Sequence, residues 1–265
     1  MNSQMIQPLK RAVKRTIKRF GYELVPSRWM PSAVFAEHLH ELFSRLRIDC
    51  VLDVGANRGQ YVEFLRTSVE YRGRIVSFEP IAENVRVLTE ASKADPLWEI
   101  RGFALGREES RLNLNVMHVD TFSSFLTPDH GTIAQFSHEN IVDHVQPVEV
   151  MRLDTVLPAL RERFAMENVY LKMDTQGYDL RVIEGAGGEL RHIRALQTEL
   201  AMKKLYRDMP GYEEVLLALT SSGFDISSVS VVSSDACLRA IECDLVMVNR
   251  LAPTEAPGIG PNPSN

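Results

Sequence analysis

The chain has 265 residues, 45% of them hydrophobic and 25% charged, and a formal net charge of −5. That length accommodates one α/β domain with additions or two small domains, and the composition is that of a globular chain. The negative charge argues against nucleic-acid binding, and no apolar run approaches the ~18 residues that cross a bilayer.

The first thirty residues break the average. Lys10, Arg11, Lys14, Arg15, Lys18, Arg19 and Arg28 stand against Glu23 alone, a net +6 that leaves −11 for the remainder. Ile6, Leu9, Val13, Ile17, Phe20 and Leu24 recur at helical spacing, which predicts a basic amphipathic helix over 6–24. Two readings follow: peripheral contact with an anionic membrane surface, or docking on the chain's own domain or a homodimer partner. Pro26 and Pro31 mark a turn, and Ser32 to Leu46 reads as a second helix; residues 1–47 form an N-terminal extension.

Val51 to Val54 then reads as a buried strand opened by Cys50, followed by the turn Gly55-Ala56-Asn57-Arg58-Gly59 and a helix from Gln60 with Tyr61, Phe64 and Leu65 inward. A second strand, Arg74 to Phe78, ends at Glu79. Strand, glycine turn, helix, strand and terminal acid make the nucleotide-binding half of a doubly wound fold. Such a turn offers backbone amides to an anionic group, and the acid suits ribose hydroxyls.

Further on, Ala82 to Ser92 reads as a helix, Trp98 to Phe103 as a strand, and Leu112 to Val116 and Val148 to Arg152 as alternating strands. Between the last two, 117–147 reads as an irregular, lid-like insertion. Asp154 is expected to cap a helix over Thr155 to Phe164; Asn168 to Met173 is a strand ending at Asp174, with a helix after Gly177 that stops around Gly185 to Gly188. Ala195 to Thr198 is a strand ending at Glu199, Gly211 to Ser222 a helix, and Phe224 to Val229 and Ile241 to Asn249 a closing antiparallel pair. The predicted fold is α/β, a doubly wound, mostly parallel seven-stranded Rossmann-like sheet over 48–250, with a disordered tail at 251–265.

Asp53-Val54-Gly55-Ala56-Asn57-x-Gly59 followed by Phe78-Glu79-Pro80 resembles a class I S-adenosylmethionine (SAM) methyltransferase. Ser123-Ser124-Phe125, Arg152-Leu153-Asp154-Thr155, Leu171-Lys172-Met173-Asp174-Thr175-Gln176-Gly177 and Glu184-Gly185-Ala186 follow in order. Together they resemble the FkbM family of SAM-dependent O-methyltransferases over roughly 48–230. The resemblance implies SAM as cofactor, held at Asp53, Gly55, Asn57, Gly59, Gln60, Glu79, Pro80, Ala104 and Ser124. It also implies an acceptor hydroxyl on a sugar, glycolipid or related natural product, which would place the enzyme in the cytoplasm or at the inner membrane face. Gln176 and Asp179 depart from the pattern, both positions often holding Glu in the family.

An alcohol needs its proton removed as it is methylated, and Asp174 and Glu199, at the ends of adjacent strands, are the candidate catalytic carboxylates. The same pair could instead hold a divalent cation, although no metal ligand set is assigned. Lys172 lies two residues before Asp174 on the same strand face and suits neutralisation of a neighbouring carboxylate. His118, His130, His138 and His144 fit no compact ligand pattern, and the three cysteines, sparse and odd in number with no signal-peptide core ahead of them, read as core thiols in a reducing compartment. Phe122, Phe125 and Phe136 either close over the ligand or anchor the insertion. Two alternatives stand beside methyl transfer. A nicotinamide-dependent oxidoreductase lacks its third glycine and a Tyr-x-x-x-Lys pair, and a non-catalytic SAM-binding scaffold would leave Asp53, Glu79 and Asp174 without work.

Overall fold

The computed structural model describes residues 30–131, 136 and 138–251. The basic segment 6–24 and the tail beyond Leu251 lie outside the described residues. Helix α1 (Met30–Leu46) precedes β1 (Cys50–Val54), α2 (Gln60–Thr67), β2 (Arg74–Phe78), α3 (Ala82–Ser92) and β3 (Trp98–Arg101). Next come β4 (Ala104–Leu105), β5 (Ser110–Met117), β6 (Val142–Met151), α4 (Leu153–Phe164), β7 (Val169–Met173) and α5 (Asp179–Ala186). Strand β8 (Ile193–Ala201), α6 (Tyr212–Ser221), β9 (Phe224–Ser234) and β10 (Ala240–Asn249) complete the chain.

Seven strands form one sheet in the order β3-β2-β1-β7-β8-β10-β9. The first five are parallel, and β10 runs antiparallel to both β8 and β9. Every residue of β1 and β7 is buried, as expected of central parallel strands covered on both faces. Alternation sorts their side chains. Leu52, Val54, Leu171 and Met173 face α4, α5 and α6, while Val51, Ile75 and Tyr170 face Leu39 and Phe43 of α1 and Val62 and Leu65 of α2. Strand order reverses between β1 and β7, so their carboxyl ends open a crevice at the switch point.

A second sheet, β4-β6-β5, stands over that crevice. It corrects the expected insertion: Met117 closes β5, and residues 142–147 belong to β6, paired with Asn113 to Met117. Residues 142–147 of β6 are largely exposed and include Pro147, so neither apolar alternation nor propensity announces them; ladder pairing with β5 holds them. Two further expectations change. Asp154 does not cap its helix, because Leu153 is already helical, Arg152 is the cap residue and the Asp154 carboxylate pairs with the Arg152 guanidinium. Strand β8 does not end at Glu199 but continues to Ala201, because β10 pairs with it as far as Glu242 opposite Ala201. No helix among the described residues is long and apolar enough to cross a membrane.

Candidate active site

Register builds the site as two polar rows across the carboxyl rim. In the lower row Ser77, Asp53, Lys172 and Gln197 are neighbours on β2, β1, β7 and β8. Two residues further along each strand, on the same face, stand Glu79, Gly55, Asp174 and Glu199, with Asp244 of β10 directly opposite Glu199.

The lower row is a buried network. Ser77 Oγ donates to Asp53 Oδ2 at 3.1 Å and accepts from Trp98 Nε1 at 2.9 Å. Lys172 Nζ lies 3.1 Å from Asp53 Oδ1 and 3.6 Å from Asp174 Oδ2, and donates to the Gly55 carbonyl at 3.3 Å. The Asp53 contact is an ion pair without good hydrogen-bond geometry, leaving Oδ1 short of a donor in the protein. Burial disfavours the Lys172 ammonium, but Asp53 and Asp174 outweigh it and raise its proton affinity. Gln197 accepts from Tyr61 and Tyr170 and donates to Asp244 at 2.9 Å.

The glycine turn passes hard against the Asp174 backbone. A Cβ on Gly55 would sit 2.0 Å from the Asp174 carbonyl oxygen, and φ there is +77°. The turn does not present the free amides that the sequence suggested. Gly55 and Ala56 donate to the Phe78 carbonyl, Asn57 to Glu79 Oε2, and Arg58 to the side chains of Asn57 and Gln60. Glu79 is thereby held at both oxygens, Oε1 accepting from Ile81 at 2.8 Å. Burial raises its carboxyl to about 7, against those two amide hydrogen bonds.

These residues surround a cavity of about 410 Å³, within the usual range for small-molecule sites. Gly55, Asn57, Gln60, Glu79, Pro80, Ala104, Asp174 and Glu199 line it. Asp53 does not line it but acts beneath it through Lys172. Gly59 also stands outside the lining; it caps α2 at φ +91° against Trp98. Ser124 is buried in the wall, donating to the Gln176 carbonyl and accepting from the Leu126 amide, while its neighbour Ser123 reaches the cavity. Phe125 lines the cavity and packs at a tilt against the Tyr178 ring, whereas Phe122 and Phe136 pack against Tyr206 and Met209. His130 contacts the Asn140 carbonyl and His144 is exposed beside Asp143; among the described residues no group is placed to hold a metal ion.

Two participants escaped sequence reading, Gln197 and Asp244, and the sequence marks Tyr61 only as an inward residue of its helix. The available signal was a polar residue inside an apolar strand, as in Ala195-Leu196-Gln197 and Cys243-Asp244-Leu245.

The strand order and the rim define the Rossmann-like fold of class I methyltransferases. A family model described as methyltransferase FkbM domain matches residues 53–226, and the chain belongs to that family. Among solved structures, a methyltransferase FkbM from Methylobacillus flagellatus is 15% identical with a TM-score of 0.46, covering 76% of this chain. This chain spans 43% of that relative's length. Fibrillarin from Aeropyrum pernix, solved with S-adenosyl-L-methionine, is 12% identical with a TM-score of 0.41, the match covering 80% of this chain and 76% of that one. No curated protein matches the chain.

Proposed function

We propose that the protein is a SAM-dependent O-methyltransferase whose acceptor is a hydroxyl of a sugar, glycolipid or related natural product. The observation that carries this reading is the rim itself: a buried acid at one end, a Lys172-held carboxylate at the other, and one cavity joining them. The donor set fits SAM. Ile81, Leu105, Leu114 and Phe125 offer apolar walls for a base. Glu79, already fixed by two amides, has lone pairs left for ribose hydroxyls. Lys172 and the acids around it suit an amino-acid zwitterion. SAM bound there supplies an electrophilic methyl group on a sulfonium.

The chain's own residues do the rest. Lys172 Nζ lies 3.6 Å from Asp174, whose side chain is 42% exposed and so open to an acceptor. Asp174 takes the acceptor proton as the oxygen–methyl bond forms, a contribution of about 10²–10⁴ in rate for a positioned base. The upper sheet and Phe125 exclude water from one side, and orientation of the two reactants supplies much of the remaining acceleration.

A second cavity of about 330 Å³ continues from the first and shares Tyr61, Phe64, Gln197, Val232 and Asp244 with it. Phe35 of α1 and Val231 of β9 extend it toward the surface, which supports an acceptor with an apolar portion. On this reading the basic segment 6–24, which precedes α1 in the sequence, holds the enzyme at an anionic membrane face.

Transfer of labelled methyl from SAM into separated lipid and aqueous fractions of a cell extract tests the proposal. Label in the lipid fraction that falls at least 100-fold with Asp174→Asn is expected. Label confined to the aqueous fraction removes the glycolipid acceptor, and none in either fraction removes the methyltransferase reading.

A further inference from the structure

Between the two candidate carboxylates stands a neutral side chain. Gln176 Nε2 lies 3.1 Å from Asp174 Oδ1 and 3.1 Å from Glu199 Oε2. Both partners are acceptors, so the NH₂ group must face them, and its two hydrogens serve one each. The opposite atom, Gln176 Oε1, accepts from the Tyr206 hydroxyl at 2.9 Å; that single proton is shared with the Phe122 carbonyl at 2.7 Å. Tyr206 is fully buried among Met117, Leu205 and Met209, so the amide cannot turn over without losing a fixed donor.

The backbone shows the same constraint. Gln176 has φ +51°, a left-handed conformation unfavourable for a non-glycine residue. Its carbonyl is pinned by the Ser124 hydroxyl at 2.8 Å. Strain held in place by buried partners at a site wall is the pattern of a residue kept for its position.

We propose that Gln176, oriented by Tyr206, is a positioning residue that ties Asp174 and Glu199 into one unit and so divides their roles: Asp174, beside Lys172, meets the acceptor, and Glu199 supports it from behind. The inference rests on the proposed O-methyltransferase reading. The groups facing this unit are Lys172 on β7, Asp179 on α5, Glu242 and Asp244 on β10, and Tyr206. Four of the five are acidic or neutral and Lys172 alone is cationic, lying nearest Asp174. Burial first, then Asp174, Glu242, Asp244 and Asp179, push the Glu199 carboxyl well above the ordinary range. An amide can give a hydrogen to each carboxyl while accepting from Tyr206; a carboxyl in its place gives at most one and adds a further acid.

The test follows the Glu199 side-chain carboxyl by ¹³C NMR in the full chain across pH, assigned with Glu199→Gln. Gln176→Glu, which keeps shape and length, is expected to raise the Glu199 midpoint by a further unit or so, because another acid joins the cluster. Tyr206→Phe, which keeps the buried ring, is expected to raise it by less. A purely structural role would leave the Tyr206→Phe midpoint at the parent value, and that result, or a parent midpoint in the ordinary glutamate range, overturns the proposal. If Gln176→Glu does not fold, the Tyr206→Phe midpoint decides. S-adenosylhomocysteine calorimetry on the parent is read separately: absence of heat there defeats the methyltransferase reading and leaves the titration result standing.

Discussion

Replacing Lys172 by methionine exposes how the lower polar row is held. The side chain is 6% exposed, and its ammonium lies 3.1 Å from the fully buried Asp53 and 3.6 Å from Asp174. Methionine fills most of the volume, so the loss is electrostatic. Breaking a buried pair by removing one partner costs about 3–5 kcal/mol. The variant has one escape, to protonate Asp53. For an aspartate that ionises near 3.9 when unfolded, protonation at pH 7 costs about 4 kcal/mol, and at pH 5 only about 1.5 kcal/mol. The penalty therefore has a ceiling that falls with pH. Urea unfolding from pH 5 to 8 should show Lys172→Met less stable by about 3–4 kcal/mol at pH 7, roughly 10 °C in Tm, with the gap more than halved at pH 5. Asp53→Asn combined with Lys172→Met should cost less than the sum of the single changes. A loss under about 1 kcal/mol at pH 7, or a loss that does not vary with pH, refutes the ion-pair account.

Glu79 sets a second pH dependence. Its carboxyl is raised to about 7, so its contribution to the stability of the ligand-free chain is present below the unfolded value and disappears as pH rises through about 7. Ribose hydroxyls donate best to the anion, so S-adenosylhomocysteine affinity should fall up to tenfold per unit below pH 7; Glu79→Gln should flatten that slope in calorimetry and weaken binding by about 1.5–3 kcal/mol. Gly55→Ala forces a Cβ to within 2.0 Å of the Asp174 carbonyl at φ +77°, whereas Gly223→Ala has φ +95° and open space around it. Thermal melts should show Gly223→Ala costing roughly 1–2 kcal/mol and Gly55→Ala clearly more, or no folded protein at all.

The doubly wound half was legible because its signals are local. The buried run Val51 to Val54, the glycines at 55 and 59 and the acid at 79 each report on their own backbone, and the acid lands where the rim needs it. What escaped depends on partners distant in the chain. Residues 142–147 form a strand because Asn113 to Met117 lie alongside, and Glu199 sits inside a strand because β10 continues past it. Gln197 and Asp244 enter the site through cross-strand register, which periodicity alone does not supply. The turn amides looked free in the sequence, yet the Phe78 carbonyl and Glu79, more than twenty residues away, take them. Side-chain roles followed the same division. Lys172 was readable two residues from Asp174 on one strand, but the grip of Tyr206 on Gln176 spans 30 positions and required the fold.

The central claim is that the cavity from Glu79 to Asp174 is a SAM site. Isothermal calorimetry of the full chain with S-adenosylhomocysteine, set beside NAD at the same pH and salt, tests it most directly. Saturable heat at a single site is expected for S-adenosylhomocysteine, lost or strongly weakened by Glu79→Gln, and none for NAD. Heat with NAD and none with S-adenosylhomocysteine would contradict it and turn the same rim into an oxidoreductase site.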